Sequence, residues 1–319
     1  MNRPHVLIIS PALAEANNGN WQTARRWSAM LRPLYRTSLA RQWNGESADV
    51  MLALHARKSA HAALAWAQAK GSDTLAVVLT GTDLYRDIQA DPLAQLALQL
   101  AGQLVLLHER GADALPDIRR HKARVIFQSA LRRATPVKTG RHLRALMAGH
   151  LRDEKDPLTY LSAAARLARR PDIFLDHIGA ALEPALGQAA QLAVSHYPQY
   201  RWLGGLTHVQ TRSHIQRAHV LVHPSKMEGG AQVILEAVQS GTPVLASHIE
   251  GNVGMLGSDY AGYFALGDDA ALAGLLQRCR DDAGFLPLLR QQCAMRASLF
   301  EPQREQTLLR ELVAQLAAT

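Results

Sequence analysis

Short apolar runs alternate with longer amphipathic stretches along almost the whole chain. Apolar, often β-branched runs of this kind predict buried strands. In the first half we place strands at Val6–Ser10, Val50–Leu54, Leu75–Leu79, Leu104–Leu107 and Arg124–Gln128. In the second half the same pattern predicts strands at Ala145–Ala148, Ile173–Ile178, Tyr200–Leu203, His219–Val222 and Val244–Ala246. Helical periodicity predicts intervening helices, notably at Gln22–Leu31, Pro92–Leu100, Leu158–Ala168 and Val233–Gln239.

Strands that alternate with helices predict parallel sheets covered by helices on both faces. Two such sets predict an α/β protein with two Rossmann-like doubly wound domains, residues 1–143 and 144–319, the second ending in a C-terminal helix. The boundary falls in the basic segment Pro136–Arg144. Because ligands of these sheets bind at the carboxyl ends of the strands, we expect the site in a central cleft that the two domains face.

The composition is that of a folded protein with an excess of positive charge. Of 319 residues, 48% are hydrophobic and 19% charged, and 35 Lys and Arg against 27 Asp and Glu give a net charge of +8. The basic residues are scattered, so we predict no nucleic-acid partner and no stable membrane association; a nucleic-acid-binding module remains the alternative, which a clustered basic face would indicate. The densest basic zone, around Pro136–Arg144, is interpreted as a solvated linker, with a phosphate-binding strip as the alternative.

The apolar run Val6–Ile9 after Arg3 has some likeness to a signal peptide. Because Pro11 cuts the run short, we interpret it as a first buried strand instead. Only two cysteines, Cys279 and Cys293, are present, which excludes a disulfide framework and indicates a reducing compartment. The sequence therefore predicts a cytoplasmic protein.

A glycine turn lies between a predicted strand and a predicted helix in the segment His223–Ala237. Gly229 and Gly230 allow close approach of the backbone to a ligand, and the N–H groups that open the following helix favour a phosphate. Glu228 lies before the helix and Glu236 within it, and carboxylates accept hydrogen bonds from sugar hydroxyls. The alternative is a glycine turn with two solvated glutamates.

This segment resembles the E-x7-E signature of the GT-B nucleotide-sugar glycosyltransferases, which include sucrose and mannosyl synthases. The resemblance implies that Glu228 contacts the donor sugar and that Glu236 holds the ribose. It also implies that the amides of Gly229, Gly230 and Ala231 hold the sugar and the diphosphate. The turn Leu203–Leu206 resembles the segment whose backbone reads the base, which makes Leu206 a donor-binding residue.

The segment Met147–Lys155 resembles the G-R-L-x-x-E-K motif of the same group, in which an Arg and a Lys neutralise the diphosphate leaving group. The resemblance assigns this role to Lys155. His150 occupies the Arg position, and Arg152 substitutes for it if the strand extends that far, since residues two apart on a strand share a face. The alternative is a pair of surface cations on a loop.

Three further segments, Asn17–Trp27, Thr80–Asp87 and Gly251–Gly257, resemble the selenosugar synthase family of selenoneine biosynthesis (SenB-type enzymes), and this likeness covers essentially the whole chain. The resemblance implies transfer of glucose or N-acetylglucosamine from a UDP-sugar to selenophosphate, with formation of a carbon–selenium bond. It also implies functional coupling to a selenophosphate synthetase and to the enzyme that uses the selenosugar.

Selenophosphate is a small anion, so its pocket needs hydrogen-bond donors and positive charge. We assign acceptor binding to Asn20, His55, Arg57, Lys58, Thr82 and Asn252. Gly19 is expected to hold phosphate oxygens of the donor, and Asp83 to orient a donor hydroxyl or the acceptor. The alternatives are a solvated helix start for Arg57 and Lys58 and a helix cap for Asp83.

No metal or other cofactor is expected, because the sequence has no Asp-x-Asp pair to hold a metal–diphosphate. His219 and His223 are four apart, but without a third ligand at suitable spacing they are interpreted as packed histidines. We expect Lys155, Arg152 and a helix dipole to take the place of a metal cation. We expect no general base, because selenophosphate is already an ionised nucleophile.

Two other activities are the alternatives to selenosugar synthesis. They are an ordinary O-glycosyltransferase that uses a UDP-sugar and a hydroxyl acceptor, and a UDP-sugar epimerase.

Overall fold

Two six-stranded parallel sheets organise the computed structural model, which describes residues 3–13 and 19–318. The chain divides into two compact units. The first contains residues 1–128, 228–230 and 302–319, and the second contains residues 129–227 and 231–301.

The sheet of the first unit has the strand order β2-β1-β3-β4-β5-β6. Its strands are β1 (His5–Ile9), β2 (Arg36–Ala40), β3 (Val50–Leu54), β4 (Leu75–Leu79), β5 (Gln103–Leu106) and β6 (Ala123–Val125). Its helices are α1 (Gly19–Leu31), α2 (Ala60–Lys70), α3 (Ile88–Ala90), α4 (Pro92–Leu100) and the C-terminal helix Pro302–Ala317. A π-helical turn spans Asp83–Asp87, and 3₁₀ turns span Glu109–Ala114 and Asp117–Lys122.

Both faces of this sheet are buried, because apolar side chains leave each central strand in both directions. Val6 and Ile8 of β1 pack in a core with Trp27 of α1, and Leu7 and Ile9 pack in a second core with Trp66 of α2. This is the expected outcome for uninterrupted apolar strands in a parallel sheet.

Side-chain hydrogen bonds connect the C-terminal helix to α1 in the first unit. Glu305 is fully buried and accepts hydrogen bonds from Trp27 Nε1 at 2.6 Å and Arg26 Nε at 3.0 Å. Residues 302–319 therefore group with the first unit, and residues 129–143 group with the second. The domain limits 1–143 and 144–319 stay a prediction.

The sheet of the second unit has the strand order β12-β11-β10-β7-β8-β9. Its strands are β7 (Leu143–Ala148), β8 (Ile173–Ile178), β9 (Tyr200–Trp202), β10 (Val220–His223), β11 (Val244–Ser247) and β12 (Tyr263–Phe264). Its helices are α5 (Pro157–Arg166), α6 (Pro184–His196), α7 (His208–Arg217), α8 (Gln232–Val238), α9 (Glu250–Leu256), α10 (Asp269–Asp281) and α11 (Phe285–Arg296). 3₁₀ turns span Asp153–Lys155 and Ala297–Phe300.

The predicted fold class, two Rossmann-like units with parallel sheets, is confirmed. The run Val6–Ile9 belongs to β1, which pairs with β2 and β3. The sequence pattern missed β2 and β12, which are edge strands of their sheets. Across the described ranges, no helix combines the length and the apolar character that crossing a membrane requires.

Candidate functional site

In the first unit, the turn after β4 and the glycine segment 228–230 approach each other closely. A Cβ added to Gly81 would lie 2.8 Å from the nitrogen of Gly229, and one added to Gly229 would lie 2.3 Å from the carbonyl carbon of Thr80. Neither position therefore has room for a side chain. This approach holds Glu228, which is 8% exposed, near the carboxyl end of β4. The alternative of a solvated glutamate at this position is wrong.

Asp83 lies buried under the same turn and joins two loops. Its Oδ1 accepts hydrogen bonds from the amides of Thr80 at 2.8 Å and Gly81 at 2.9 Å. Its Oδ2 accepts one from the amide of Ala56, which follows β3, at 2.8 Å. A helix cap accepts hydrogen bonds from amides of the helix that follows it. The three amides bonded to Asp83 instead come before it in the chain, so these bonds do not make Asp83 a helix cap. The geometry gives Asp83 a positioning function, and its contact with a substrate stays a prediction.

His55 is a buried neighbour of Asp83, with a left-handed backbone at φ +71°. Burial lowers the pKa of His55 below its ordinary value, so the ring is uncharged near neutral pH. Its Nδ1 faces the amide of Lys58 at 3.4 Å, which leaves the proton on Nε2 for a 3.2 Å hydrogen bond to Thr82 Oγ1. His55 and Thr82 are thus brought together, as neutral groups.

The predicted cations of the acceptor pocket lie on the surface of the first unit. Arg57 Nε forms an ion pair of 2.8 Å with Asp91, and half of the Arg57 side chain is exposed. Lys58 is exposed as well. Gly19 and Asn20 open α1, whereas Asn17 and Asn18 of the same predicted segment lie outside the described residues. The acceptor-binding functions of all these residues stay predictions.

In the second unit, strand β7 ends at Ala148, so the condition set for Arg152 to substitute for the arginine, a strand that extends to it, is not met. Arg152 instead precedes the 3₁₀ turn Asp153–Lys155. The side chain of Lys155 passes over Gly149, where an added Cβ would lie 3.6 Å from its Cγ and Cδ. Lys155 is thereby held at the carboxyl end of β7, where the ligands of parallel sheets bind.

His150 replaces the expected arginine of this loop, and it is neutral. Its Nδ1 accepts a hydrogen bond from the amide of Ala180 at 3.1 Å. Burial first, and then the nearby charges of Arg152 and Lys155, lower the pKa of His150. Any positive charge that this loop offers to a diphosphate therefore comes from Lys155 and Arg152.

Lys226 is a residue of this region to which the sequence reasoning gave no function. Its Nζ forms an ion pair of 2.6 Å with Asp153, and its amide donates to the carbonyl of Glu154 at 2.9 Å. These contacts tie the loop after β10 to the 3₁₀ turn that carries Lys155. The signal in the sequence was its position four residues after the predicted strand His219–Val222 and two residues before Glu228.

Glu236 is buried on α8 and is surrounded by basic and polar side chains of the second unit. His208 Nε2, on α7, lies 2.6 Å from its Oε1, and Arg212, also on α7, lies 3.8 Å from the same oxygen. Gln232 Nε2 donates to Oε1 at 3.4 Å. Arg212 is itself buried and donates to the carbonyl of Leu131 at 2.9 Å. A carboxylate oriented in this way suits the hydroxyls of a sugar, and it is not solvated.

The remaining predicted donor residues of this unit are Ala231, which precedes α8, and Leu206, which precedes α7. The amide of Ala231, which precedes α8, donates to the sulfur of Met255 at 3.2 Å. Thioether sulfur is a weak acceptor, so a phosphate or sugar oxygen would be a better partner for this amide. Leu206 is half-buried in the loop that leads to α7, after Gly204, whose φ is +69°.

Asn252 lies on α9 and is fully buried. Its amide nitrogen donates to the carbonyl and the hydroxyl of Ser247 at 2.9 and 3.0 Å. Ser247 in turn donates to the carbonyl of Ser225, in the loop after β10, at 2.6 Å. Among the described residues, neither Asn252 Oδ1 nor Ser225 Oγ has a hydrogen-bond partner. A buried acceptor on α9 and a buried hydroxyl in the loop after β10 therefore have no partner in the described part of the chain.

The histidines form no recognisable metal centre with the other residues that the structure describes. Over residues 3–13 and 19–318, no group of three His, Cys, Asp or Glu side chains is arranged to hold a metal ion. His219 Nδ1 accepts a hydrogen bond from the amide of Arg144 at 3.0 Å, and its Nε2 donates to the carbonyl of Thr139 at 2.9 Å. His219 is thus a packed histidine with both ring nitrogens engaged. Metal-independent chemistry stays a prediction.

The family model for glycosyl transferases, group 1, matches residues 130–296. Among solved structures, sucrose-phosphate synthase from Thermosynechococcus elongatus is similar over 99% of this chain and 100% of its own, with a TM-score of 0.80 and 16% identity. A glycosyltransferase from Rickettsia africae is similar over 99% of both chains, with a TM-score of 0.76 and 12% identity. HepE from Anabaena, solved with UDP and glucose, is similar over 99% of this chain and 100% of its own, with a TM-score of 0.74 and 14% identity. These likenesses confirm the predicted GT-B fold.

Proposed function

The chain belongs to the glycosyl transferases group 1, and we propose that it transfers glucose or N-acetylglucosamine from a UDP-sugar to selenophosphate. The observation that carries the donor half of this proposal is the setting of Glu236. This buried carboxylate is fixed by His208 at 2.6 Å and by Arg212 at 3.8 Å, so an acceptor of hydrogen bonds is preorganised beside α8. The complex of HepE with UDP and glucose, on a similar fold, supports a UDP-sugar as the donor.

The proposed reaction is a displacement at the anomeric carbon of the sugar. Selenium supplies an electron pair to form the bond to this carbon while the bond from the carbon to the diphosphate oxygen breaks. UDP leaves with the bonding electrons, and its growing negative charge requires stabilisation. Lys155, held over Gly149, and Arg152 are the cations that we assign to this task.

The acceptor half of the proposal rests on the sequence resemblance and on the state of the polar groups in the first unit. An O-glycosyltransferase that acts on a hydroxyl benefits from a base that removes the proton. Asp83 has both oxygens bonded to backbone amides, and the proton of His55 is directed to Thr82. Neither side chain is placed as a base, which favours an acceptor that is already ionised.

A single assay tests the proposed function. The protein is mixed with UDP-glucose or UDP-N-acetylglucosamine and freshly prepared selenophosphate, and mass spectrometry follows the products. A sugar product with the selenium isotope pattern, formed together with UDP, is the expected result. UDP release with a hydroxyl acceptor but not with selenophosphate would identify an O-glycosyltransferase, and turnover of the UDP-sugar alone to a stereoisomer would identify an epimerase. Both outcomes reject the proposal.

Arg57→Ala is expected to raise the apparent KM for selenophosphate about tenfold, and clearly more than the KM for the UDP-sugar. The reason is the loss of charge-assisted hydrogen bonds to a small anion, each worth roughly 1.5–3 kcal/mol. The control is Arg110→Ala, which removes a similarly exposed guanidinium paired with Asp113. Steady-state kinetics with each substrate varied in turn measure the effect. Equal changes in both KM values would place the acceptor pocket elsewhere.

Chelation by EDTA is expected to leave the rate of transfer unchanged. The proposed cations for the leaving group are Lys155 and Arg152, which a chelator does not remove. The rate is measured after dialysis against EDTA, with and without added Mg²⁺ or Mn²⁺. Activity that disappears on dialysis and returns with either cation would contradict metal-independent transfer.

A further inference from the structure

A cavity of about 470 Å³ lies within the second unit. One wall is the face of the sheet that carries Asp176 of β8 and Arg201 of β9, which are paired in register. Arg217 at the end of α7 and Lys138 of the segment that leads into β7 also line the cavity. Arg144, at the start of β7, also lines the cavity.

The cavity lies near the amino ends of β7 and β10, whereas the candidate donor residue Lys155 lies beyond the carboxyl end of β7. Arg144 is near the amino end of β7, and Ala218 and His219, which also line the cavity, directly precede β10. Lys155, in contrast, follows the carboxyl end of β7. A ligand in the cavity is therefore a different ligand from the sugar donor.

Positive charge predominates in the cavity. Four cationic side chains line it, namely Lys138, Arg144, Arg201 and Arg217, against the single carboxylate of Asp176. Asp176 is already shared by two of them, with Arg144 Nη1 at 3.0 Å and Arg201 Nε at 2.8 Å. Within the described ranges no carboxylate pairs with Lys138 or Arg217, so these two cations are not neutralised by the protein.

Burial is the main cause that lowers the pKa values of the titratable groups at the cavity, and nearby cations lower them further. Burial, and then Arg290, lower the pKa of Lys138 to about 8. Burial and then Arg144 lower the pKa of His142, and burial and then Arg217 lower the pKa of His214. The histidines that line the cavity are therefore uncharged near neutral pH, and a bound anion would raise their pKa values again.

The size and lining of the cavity restrict the class of anion. A volume of about 470 Å³ exceeds what a bare phosphate fills and is within the range of sites for small metabolites. Apolar surface from Pro136, Val137 and Leu146 lies beside the cationic groups. Arginine and lysine together with a small apolar wall suit a phosphate group that carries a compact organic substituent.

We propose that this cavity binds a phosphate monoester, with Arg217 and Lys138 as ligands of the phosphate and the organic part packed against Leu146. The basic segment Pro136–Arg144 is, in this proposal, one wall of a phosphate site rather than only a solvated linker. The site is independent of the selenophosphate acceptor and of the sugar donor, and it adds a binding function to the second unit.

The test is NMR titration of the full chain with glucose 6-phosphate, with glucose as the uncharged control. The imidazole signals of His142 and His214 report on the cavity. Saturable shifts of both rings with glucose 6-phosphate but not with glucose are expected. Arg217→Gln is expected to weaken this binding about tenfold or more, because it removes a charge-assisted bond. Arg169→Gln, which removes an exposed charge of the same unit, is expected to leave the affinity unchanged.

A second arm identifies the source of the phosphate monoester. Phosphatidylcholine vesicles that contain phosphatidic acid are sedimented with the wild-type chain and with the Arg217→Gln chain. Binding that depends on Arg217 in either arm supports the site, and the arm that shows it distinguishes a soluble ester from a lipid headgroup. Absence of ring shifts and of vesicle binding, or equal affinities of the Arg217→Gln and Arg169→Gln chains, would overturn the proposal.

Discussion

Glu236→Gln is expected to weaken UDP binding roughly 10- to 100-fold, as measured by isothermal titration calorimetry. In the proposed complex the carboxylate accepts hydrogen bonds from ribose hydroxyls, and a hydrogen bond to a charged group contributes roughly 1.5–3 kcal/mol. The amide of glutamine keeps the shape of the side chain but removes the charge. Glu301→Gln, at an exposed position of the same unit, is the control that should bind UDP as the wild type does.

Glutamine is preferred to alanine at this position because of Arg212. This guanidinium is buried 3.8 Å from Glu236, and removal of the whole side chain would leave a buried charge beside a cavity. Thermal unfolding of each variant separates a loss of binding from a loss of folding. A folded Glu236→Gln chain with unchanged UDP affinity would show that the carboxylate does not hold the ribose.

The central strands were predictable because a buried parallel strand is apolar on both faces. Strands β3 and β4 match the predicted Val50–Leu54 and Leu75–Leu79 at both ends, and every residue in them is buried. Strand β2, Arg36–Ala40, is an edge strand with no fully buried residue, so its sequence has no apolar run to detect. Pattern reasoning thus finds the central strands by their burial, whereas among the edge strands it missed β2 and β12 but predicted β9.

The candidate site was predictable only where its residues are close in sequence. The spacing of Glu228 and Glu236 around two glycines is a local pattern, and the structure buries both carboxylates. The contact of Glu236 with His208 joins residues 28 positions apart and exists because α7 packs beside α8. No local pattern in the sequence contains this information.

The function of Asp83 likewise depends on contacts with residues that are distant in sequence. The sequence left a substrate contact and a helix cap as the two interpretations of its carboxylate. The structure shows bonds to Thr80 and Gly81 and a third to Ala56, which is 27 positions away and follows the neighbouring strand β3. Only the pairing of β3 with β4 brings these amides to one carboxylate.

Lys155→Met is expected to lower kcat/KM for the UDP-sugar about 100- to 1000-fold. Charge develops on the leaving diphosphate as the sugar bond breaks, and loss of one preorganised donor to such a charge commonly costs this much. The stem of Lys155 is fixed over Gly149 at the carboxyl end of β7, so its ammonium needs little reorganisation to reach a diphosphate there. Lys155→Arg, which keeps the charge, should recover part of the activity.

The matched control is Lys70→Met, which removes an exposed ammonium at the end of α2 in the first unit. Lys226 is unsuitable as the control, because its ion pair of 2.6 Å with Asp153 ties its loop to the turn that carries Lys155. We expect Lys70→Met to leave kcat/KM within a few-fold of the wild-type value. Steady-state kinetics on both variants measure the difference. If Lys70→Met loses as much activity as Lys155→Met, or Lys155→Met loses none, then Lys155 is not the group that stabilises the departing UDP.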